Sequence, residues 1–514
     1  MTTLQLSAPF STTNHEPRTT TAPPPPSPIA MLGVPFDRVT AADALRLISD
    51  MIASGRPHYA ATANVDFAVQ ALGDVELRRI LAEADLVLCD GMPLVWASRF
   101  LGNPLPERVT GSDLVPQLLA AAADKGWRVF FLGGTDESVA RAARNVRARH
   151  PSLKLVGAYS PPFKPLLEMD QEDILRRVRE AKPDILLVAF GCPKQEKWIS
   201  MHLHLAGVPM SIGVGATIDF LAGLVRRAPP WMQRTGLEWV YRLLQEPQRL
   251  FRRYFSDLFV FGVVILRQWW QLRGLRSHAQ RANRVVAQST KNGVYQVVRF
   301  AERLDAATVR DHAKLWPGLP ASEAHVIFEL SAVQFLDSTG VGLLVRLQKQ
   351  LRANGRQLVL VAPTKPVLRA LALMRLTEFF PMAADLTAAR ILIHDRRDEP
   401  SVVSTLNLAG PHEVVAWQGD IVAANEEQVW RMTTLLLDKP DADGLAAPPP
   451  GADGQYQMNI NLADVRFVDS TGVRLMVRLR KQARLCGIQL KFTAPQPAVL
   501  NVLRILRMDN YLLT

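Results

Sequence analysis

The sequence predicts an α/β protein: a parallel sheet covered by helices, then a basic helical appendage, then two small α/β domains. Three observations carry this. From Met31 to about Gly223, short apolar runs alternate with helix-period segments, the pattern of strands buried on both faces. Between Arg226 and Arg284, arginines and aromatic residues crowd together without a lysine. Beyond that, VQFLDSTGVGLLVRLQKQLRANGRQLVLVAPTKPVLRAL is matched by VRFVDSTGVRLMVRLRKQARLCGIQLKFTAPQPAVLNVL at a constant offset of about 132 residues, so one domain is present twice.

A chain of 514 residues has room for about three domains. A net charge of +12 favours an anionic partner, whether nucleic acid, membrane surface or phosphorylated substrate. Cys89, Cys192 and Cys486 lie far apart with no CxxC, which argues against disulfides or zinc and for a reducing cytoplasm. Residues 1–30 are Thr/Pro-rich, unlike a signal peptide, and are expected to be a disordered tail. The longest fully apolar stretch, Leu258 to Leu266, is far short of the roughly 20 residues a membrane span needs.

Within residues 31–223, HYAATAN reads as a strand and VDFAVQALGDVELRRILAEA as one amphipathic helix. LVLCD is a strand. SDLVPQLLAAAADKG is a helix with Ser112 or Asp113 near its cap, WRVFFLGG a strand, and TDESVARAARNVRARHP a helix capped by Thr135. LKLVGAY, DILLVAFG and VPMSIGVGA complete the strands, with DQEDILRRVREAKP a helix between the first two. Several strands end in Gly, Asn or Asp, so polar and glycine-rich loops gather on one edge.

The appendage, residues 224–284, has about twelve arginines against Glu238, Glu246 and Asp257, hence about +9 of the charge. Arginines mixed with Trp, Tyr and Phe beside a short apolar run describe a segment in a lipid headgroup layer. Packing on its own domain and nucleic-acid stacking are the rival readings; the apolar run favours lipid over bases. The repeats occupy 290–396 and 401–514, joined near Arg396–Pro400, and DADGLAAPPPGADG reads as a flexible loop inside the second.

Four loops on the sheet edge carry candidate chemistry: ATANVD with Thr62, Asn64 and Asp66; CDGMP with Asp90; FGCPKQEKW with Gly191, Pro193, Lys194, Gln195, Glu196 and Trp198; and GVGATIDFLAG with Gly213, Gly215, Thr217 and Asp219. Gly133 in GGT belongs to the same edge. Glycines straight after strands let a backbone approach a phosphate, and the helix starts behind them offer N–H groups to an anion. Asp-Gly is also a common turn pair, and Gln195–Glu196 could simply cap a helix.

Together with ERVTGSDL (Glu107 to Leu114) and RAPPWMQRTGLEWVYRLLQEPQRLFRRY, these ordered motifs resemble the WecG/TagA/CpsF glycosyltransferases over roughly Met31 to Trp270. The resemblance implies a Rossmann-like domain and an inverting, metal-independent transfer from a UDP-sugar to an undecaprenyl-pyrophosphate-linked saccharide. It implies too that the Arg/aromatic tail binds the membrane and helps complete the site, which would place the protein peripherally on the inner face of the cell membrane. No nucleic acid and no cofactor beyond the donor substrate is expected.

Inverting transfer is a single displacement in which a base takes the acceptor hydroxyl's proton; Asp90 fits that role. Thr62 and Asn64 would hydrogen-bond sugar or acceptor hydroxyls, with turn formation as their alternative. No Asp-x-Asp pair sits on the rim, so backbone N–H groups and cations must stabilise the departing diphosphate, with Lys194, Arg226 and Arg227 nearest in sequence. Gln195 and Glu196 would read uracil or ribose.

The two C-terminal copies resemble STAS domains, in which a Ser or Thr of a D-S-[ST]-G turn is phosphorylated by a partner kinase. The matching candidates are Ser338 and Thr339 after Asp337, and Ser470 and Thr471 after Asp469. A phosphate at a helix start is favoured by the helix dipole, while a plain helix cap is the alternative. The copies are expected to regulate or dock the enzyme in exopolysaccharide or cell-envelope glycan synthesis. The competing reading of the whole chain is a non-catalytic scaffold that senses sugar nucleotide and signals through its STAS pair.

Overall fold

A computed structural model of the chain describes residues 27–276, 295–394, 401–406, 412–437 and 456–513, except positions 226, 236, 246, 301, 424, 487 and 507. The tail before Ser27, the end of the appendage, the Arg396–Pro400 linker, the DADGLAAPPPGADG loop and Arg226 therefore lie outside the described residues. Pro25–His394 forms one compact unit, and Asp395–Thr514 belongs to a second.

The first unit opens with a hairpin of β1 (Ile29–Met31) and β2 (Val34–Phe36), paired antiparallel. Its two-residue turn, Leu32–Gly33, takes positive φ at both positions (51° and 83°), the geometry that matches the twist of paired strands. The tail expected to reach residue 30 thus stops earlier: Ile29, Ala30 and Met31 are wholly buried. Burial of an apolar IAM/VPF pair outweighs the disorder suggested by the prolines before it.

The six-stranded sheet follows through α1 (Ala41–Ala53), β3 (His58–Ala63), α2 (Val65–Gly73), α3 (Val75–Glu83), β4 (Leu86–Cys89), α4 (Met92–Phe100), α5 (Gly111–Lys125) and β5 (Arg128–Gly133). It continues with α6 (Asp136–Arg149), β6 (Lys154–Tyr159), α7 (Gln171–Ala181), β7 (Ile185–Ala189), α8 (Lys194–Ala206), β8 (Met210–Gly213) and α9 (Thr217–Ala222). The strand order is β4-β3-β8-β7-β5-β6, every pair parallel. One apolar layer holds α2, α3 and α8 against one face; a second holds α1, α5, α6 and α9 against the other.

Two local details depart from the sequence reading. The helix expected over VDFAVQALGDVELRRILAEA is broken at Asp74, which leaves helical geometry (φ −94°, ψ 99°) and caps α3 by accepting from Leu77 N at 3.0 Å. Buried Lys197 of α8 then bridges Asp74 (2.7 Å) and Glu76 (2.9 Å), fixing that corner. The cap of α5 is Thr110, whose hydroxyl accepts from Asp113 N; Ser112 and Asp113 stand inside the first turn. Thr135 caps α6 in a capping box, as its sequence predicts.

The appendage forms α10 (Pro230–Thr235), α11 (Glu238–Gln245) and the 30-residue α12 (Pro247–Arg276). Phe261 and Ile265 of α12 are buried in the sheet domain's core, and Trp269 stacks on Phe100 at 5.0 Å. Phe251, Phe255, Leu258, Phe259, Leu266 and Trp270 are exposed at helical spacing on the same element. No helix among the described residues is long and apolar enough to cross a membrane.

Each STAS-like copy has a four-stranded sheet. In the first it is wholly parallel, in the order Met382–Ala383, Leu358–Val361, His325–Glu329, Tyr295–Arg299. In the second, Ser401–Leu406 adds antiparallel to His412–Ile421, which pairs parallel with Tyr456–Val468, followed by Ile488–Thr493. The repeat extends to the backbone: Ala362 and Ala494, each before a proline at equivalent positions, both take positive φ (46° and 50°).

The D-S-T-G turns start the helices Ser338–Arg352 and Ser470–Leu485, but neither Ser nor Thr is the cap. Asp337 accepts from Thr339 N and Gly340 N at 2.9 Å each, and Asp469 from Gly472 N at 2.8 Å. All four candidate hydroxyl residues are buried, at most 2% exposed. A kinase would have to open the fold to reach them. The Thr339 and Thr471 hydroxyls find no hydrogen-bond partner among the described residues. Replacing Thr471 by valine, which keeps the shape and removes the unpaired group, is therefore expected to raise the second unit's stability by about 1 kcal/mol. Calorimetry of the full chain would read this as a shift of that unit's transition alone.

Candidate active site

The carboxyl ends of β3, β4, β5, β7 and β8 form one rim. Leaving β5 the chain crosses to β6, and leaving β7 it crosses to β8 on the other side. The adjacent β5 and β7 therefore part at their ends, the crevice where open α/β sheets take ligands. Glycines line it. Gly133 has φ +100°, and a Cβ there would stand 2.7 Å from the Ala189 carbonyl oxygen. Gly191, at φ +78°, follows β7 with open space around it.

Asp90 sits at the end of β4, partly exposed, its N–H bonded to the Ala63 carbonyl at 2.9 Å. Its Oδ2 accepts from Gly111 N, the first residue of α5, at 3.4 Å. Gly111 in turn packs on Thr62 and Thr217: a Cβ on it would be 3.5 Å and 3.0 Å from their hydroxyl oxygens. Thr62 is buried and donates to the Gly213 carbonyl at 2.9 Å, joining β3 to β8. Asn64 caps α2, its Oδ1 accepting from Phe67 N at 3.2 Å. Asn64 thus makes the bond of the turn alternative, whereas Thr62 forms no turn and instead holds two strands together beside Asp90.

Gln195 and Glu196 point inward beneath the loops. Gln195 Oε1 accepts from Gly191 N (3.1 Å) and Gly215 N (3.2 Å), and its Nε2 donates to Glu196 Oε1 at 2.7 Å. A Cβ on Gly213 would stand 2.8 Å from that Nε2 and 2.8 Å from that Oε1. Gln195 is 1% exposed and Glu196 wholly buried, so the pair braces the glycine loops from below. Burial pushes the Glu196 carboxyl up to about 8, against hydrogen bonds from Gln195 and Cys192. At neutral pH it is mostly protonated and puts no negative charge under the loops.

The sign of the resulting pH dependence follows. Between pH 4.5 and about 8 the unfolded chain gives up this proton while the native chain keeps it. Native stability is therefore expected to fall as pH rises through that window, and Glu196→Gln should flatten the slope. Denaturant titrations of both proteins at pH 5, 6.5 and 8 would measure it; equal slopes would count against the neutral carboxyl.

The cations are less free than their sequence positions imply. Lys194 Nζ donates to the Lys164 carbonyl at 2.6 Å and lies 4.9 Å from the Phe163 ring centre, its pKa lowered by burial. Arg227 binds Asp113 Oδ1 at 2.6 Å and approaches Glu238 Oε1 at 3.6 Å. Asp219 lies on α9, partly exposed, its carbonyl accepting from Leu224 N.

The sequence reading passed over Arg108, which stands inside the quoted ERVTGSDL stretch. It binds Glu238 Oε2 at 2.9 Å and Asp113 Oδ2 at 3.4 Å. Arg108, Arg227, Asp113 and Glu238 form a closed group of two guanidiniums and two carboxylates. That group ties the start of α5, and hence Gly111 against Asp90, to helix α11 of the appendage. Gly111, in the same stretch, was likewise not singled out, whereas Thr217 beside it was expected on this rim.

Residues 29–275 match the family described as Glycosyl transferase WecG/TagA/CpsF. The N-acetylglucosaminyldiphosphoundecaprenol N-acetyl-beta-D-mannosaminyltransferase of Bacillus spizizenii is 34% identical over 203 residues, 40% of this chain and 77% of that protein. The chain belongs to the WecG/TagA/CpsF glycosyltransferases. The Staphylococcus aureus (strain MW2) protein of the same name is 28% identical over 238 residues, 46% of this chain and 92% of the relative. Residues 286–389 and 407–514 match the STAS domain, so this transferase carries two. A solved STAS domain protein from Planctomyces limnophilus aligns with 22% of this chain and 97% of its own, at 21% identity and a TM-score of 0.19.

Proposed function

We propose that the enzyme moves a sugar from a UDP-sugar to an undecaprenyl-diphosphate-linked saccharide at the inner membrane face, by a single displacement with Asp90 as base. The acceptor class comes from the names of the relatives, whose acceptor is N-acetylglucosaminyldiphosphoundecaprenol. One observation supports the chemistry above all: Asp90 stands on the same rim as the β5/β7 glycine crevice, held by Gly111 N and the Ala63 carbonyl. In that arrangement an acceptor hydroxyl at Asp90 loses its proton to the carboxylate. The new C–O bond forms as the anomeric C–O bond to the diphosphate breaks, and UDP leaves with the bonding pair.

Charge developing on UDP would be met without a metal by the first-turn N–H groups of α6, since the Gly134, Thr135 and Gly191 N–H groups already donate to the Ala189 carbonyl, the Ser138 hydroxyl and Gln195 Oε1. Lys194 follows β7 at this crevice, whereas Arg227 is held by Asp113 at the start of α5. Peripheral binding through the exposed face of α12 would bring the lipid-linked acceptor to the rim. A role in exopolysaccharide or envelope glycan synthesis, with the STAS pair in control or docking, follows from that substrate class. The test is UDP release from a panel of UDP-sugars, with and without a synthetic lipid-diphosphate acceptor. Acceptor-dependent release with one donor supports the reading; no release with any donor refutes it and leaves the sensing scaffold.

A further inference from the structure

The first STAS domain is built into the catalytic unit through the helix Ser338–Arg352, the one that starts at the D-S-T-G turn. Ser338 is wholly buried and its hydroxyl accepts from Asn103 Nδ2 at 3.0 Å, with Asn103 itself 4% exposed. Further along the helix, Lys349 Nζ donates to the Ala84 carbonyl at 2.6 Å and Arg352 pairs with Glu83 at 3.3 Å. Gly342 faces the β1–β2 hairpin so closely that a Cβ would run into the Pro28 carbonyl. At the hairpin tip, a Cβ on Gly33 would stand 2.6 Å from the Met374 carbonyl of the same STAS domain. The two cores are shared: Phe335 packs within the transferase layer, Ala30 and Ala82 within the STAS layer.

These contacts fall at the two ends of one segment. Asp37, which follows the hairpin, bonds Val87 of β4 twice, N–H to carbonyl at 2.9 Å and Oδ2 from Val87 N at 2.7 Å. The cations whose field acts on this partly buried carboxylate, Lys349 and Arg346, both belong to the STAS helix. At the other end, Asn103 follows α4, which begins two residues after Asp90. Residues 86–103, strand β4 with Asp90 and α4, are thus gripped near both ends by one STAS helix.

Resting on the transferase reading, we infer that the first STAS domain is a fixed positioning part of the enzyme. Ser338 through Asn103, and Arg346 with Lys349 through Asp37, hold the segment that aims Asp90. The hydroxyl matched to the STAS phosphorylation position serves here as a docking group. The second copy cannot replace the first. Where the first has Gly342, the second has Arg474, engaged with Glu426 at 2.6 Å, and Arg478 at the place of Arg346 binds the same Glu426 at 3.0 Å. A side chain of that size would block the approach of a hairpin.

The experiment uses the full chain with Ser338→Ala, Asn103→Ala, the double variant and Ser470→Ala as control. Each reports kcat and KM for UDP release and hydrogen exchange over 86–103. Both single variants are expected to lower kcat about three- to tenfold at unchanged KM for the UDP-sugar, since a misplaced base slows chemistry without loosening the nucleotide. The double variant should be no slower than the singles, because one bond is lost in all three. Exchange over 86–103 should rise while residues 128–135 and 185–191 keep their protection, and Ser470→Ala should change nothing. Unchanged kcat despite raised exchange would overturn the inference, as would an equal loss in Ser470→Ala. If the wild type releases no UDP, the transferase reading fails by itself. Exchange in Ser338→Ala and Lys349→Met then still decides, and unaltered protection over 86–103 would sink the grip.

Discussion

Asp90→Asn is expected to lower kcat for UDP release by about 10²–10⁴-fold, the range for removing a general base. Asparagine keeps an oxygen to accept from Gly111 N, so the rim should hold its geometry and only the proton acceptor is lost. Nucleotide affinity should then stay within about threefold, because the glycine crevice between β5 and β7 is untouched. The measurement is steady-state UDP release beside direct binding of UDP. Equal turnover in both proteins would remove Asp90 from the chemistry, and a loss matched by weaker UDP binding would make it a binding residue.

The second large effect concerns α12. Phe255, Phe259 and Trp270 are each about two-thirds exposed (68%, 66% and 67%), while Phe261 and Ile265 on the opposite side hold the helix to the sheet domain. Replacing the three exposed aromatics by serine removes about 1–2 kcal/mol of interfacial burial apiece, so affinity for anionic vesicles should fall more than about 100-fold. Sedimentation with phosphatidylglycerol vesicles reads it directly. Truncation after Gly223 would be a poor substitute, because it strips Phe261 and Ile265 from the core as well. Undiminished sedimentation of the triple variant would remove this face from membrane binding.

The sheet was legible because parallel strands buried on both faces leave bare apolar runs, and HYAATAN, LVLCD and WRVFFLGG could hardly be read otherwise. The rim loops were legible for the complementary reason, that glycine, Asn and Asp must follow such strands where the backbone turns. The break at Asp74 was hidden because a capping Asp after Gly fits a continuing amphipathic pattern until its backbone angles are seen. The Arg108–Glu238 pair joins residues 130 apart, and no local pattern marks such a partner. Docking of the first STAS domain turned on Gly342 against Arg474, a difference in the repeat that acquires meaning only beside the Pro28 carbonyl.

Gln195 Oε1 receives both the Gly191 and the Gly215 amide, so the turns after β7 and β8 share a single anchor. Neither can stiffen alone. A nucleotide fragment that engages only one of them should slow amide exchange at both, and the fragment reaching the far side should then bind more tightly for having its ordering cost already met.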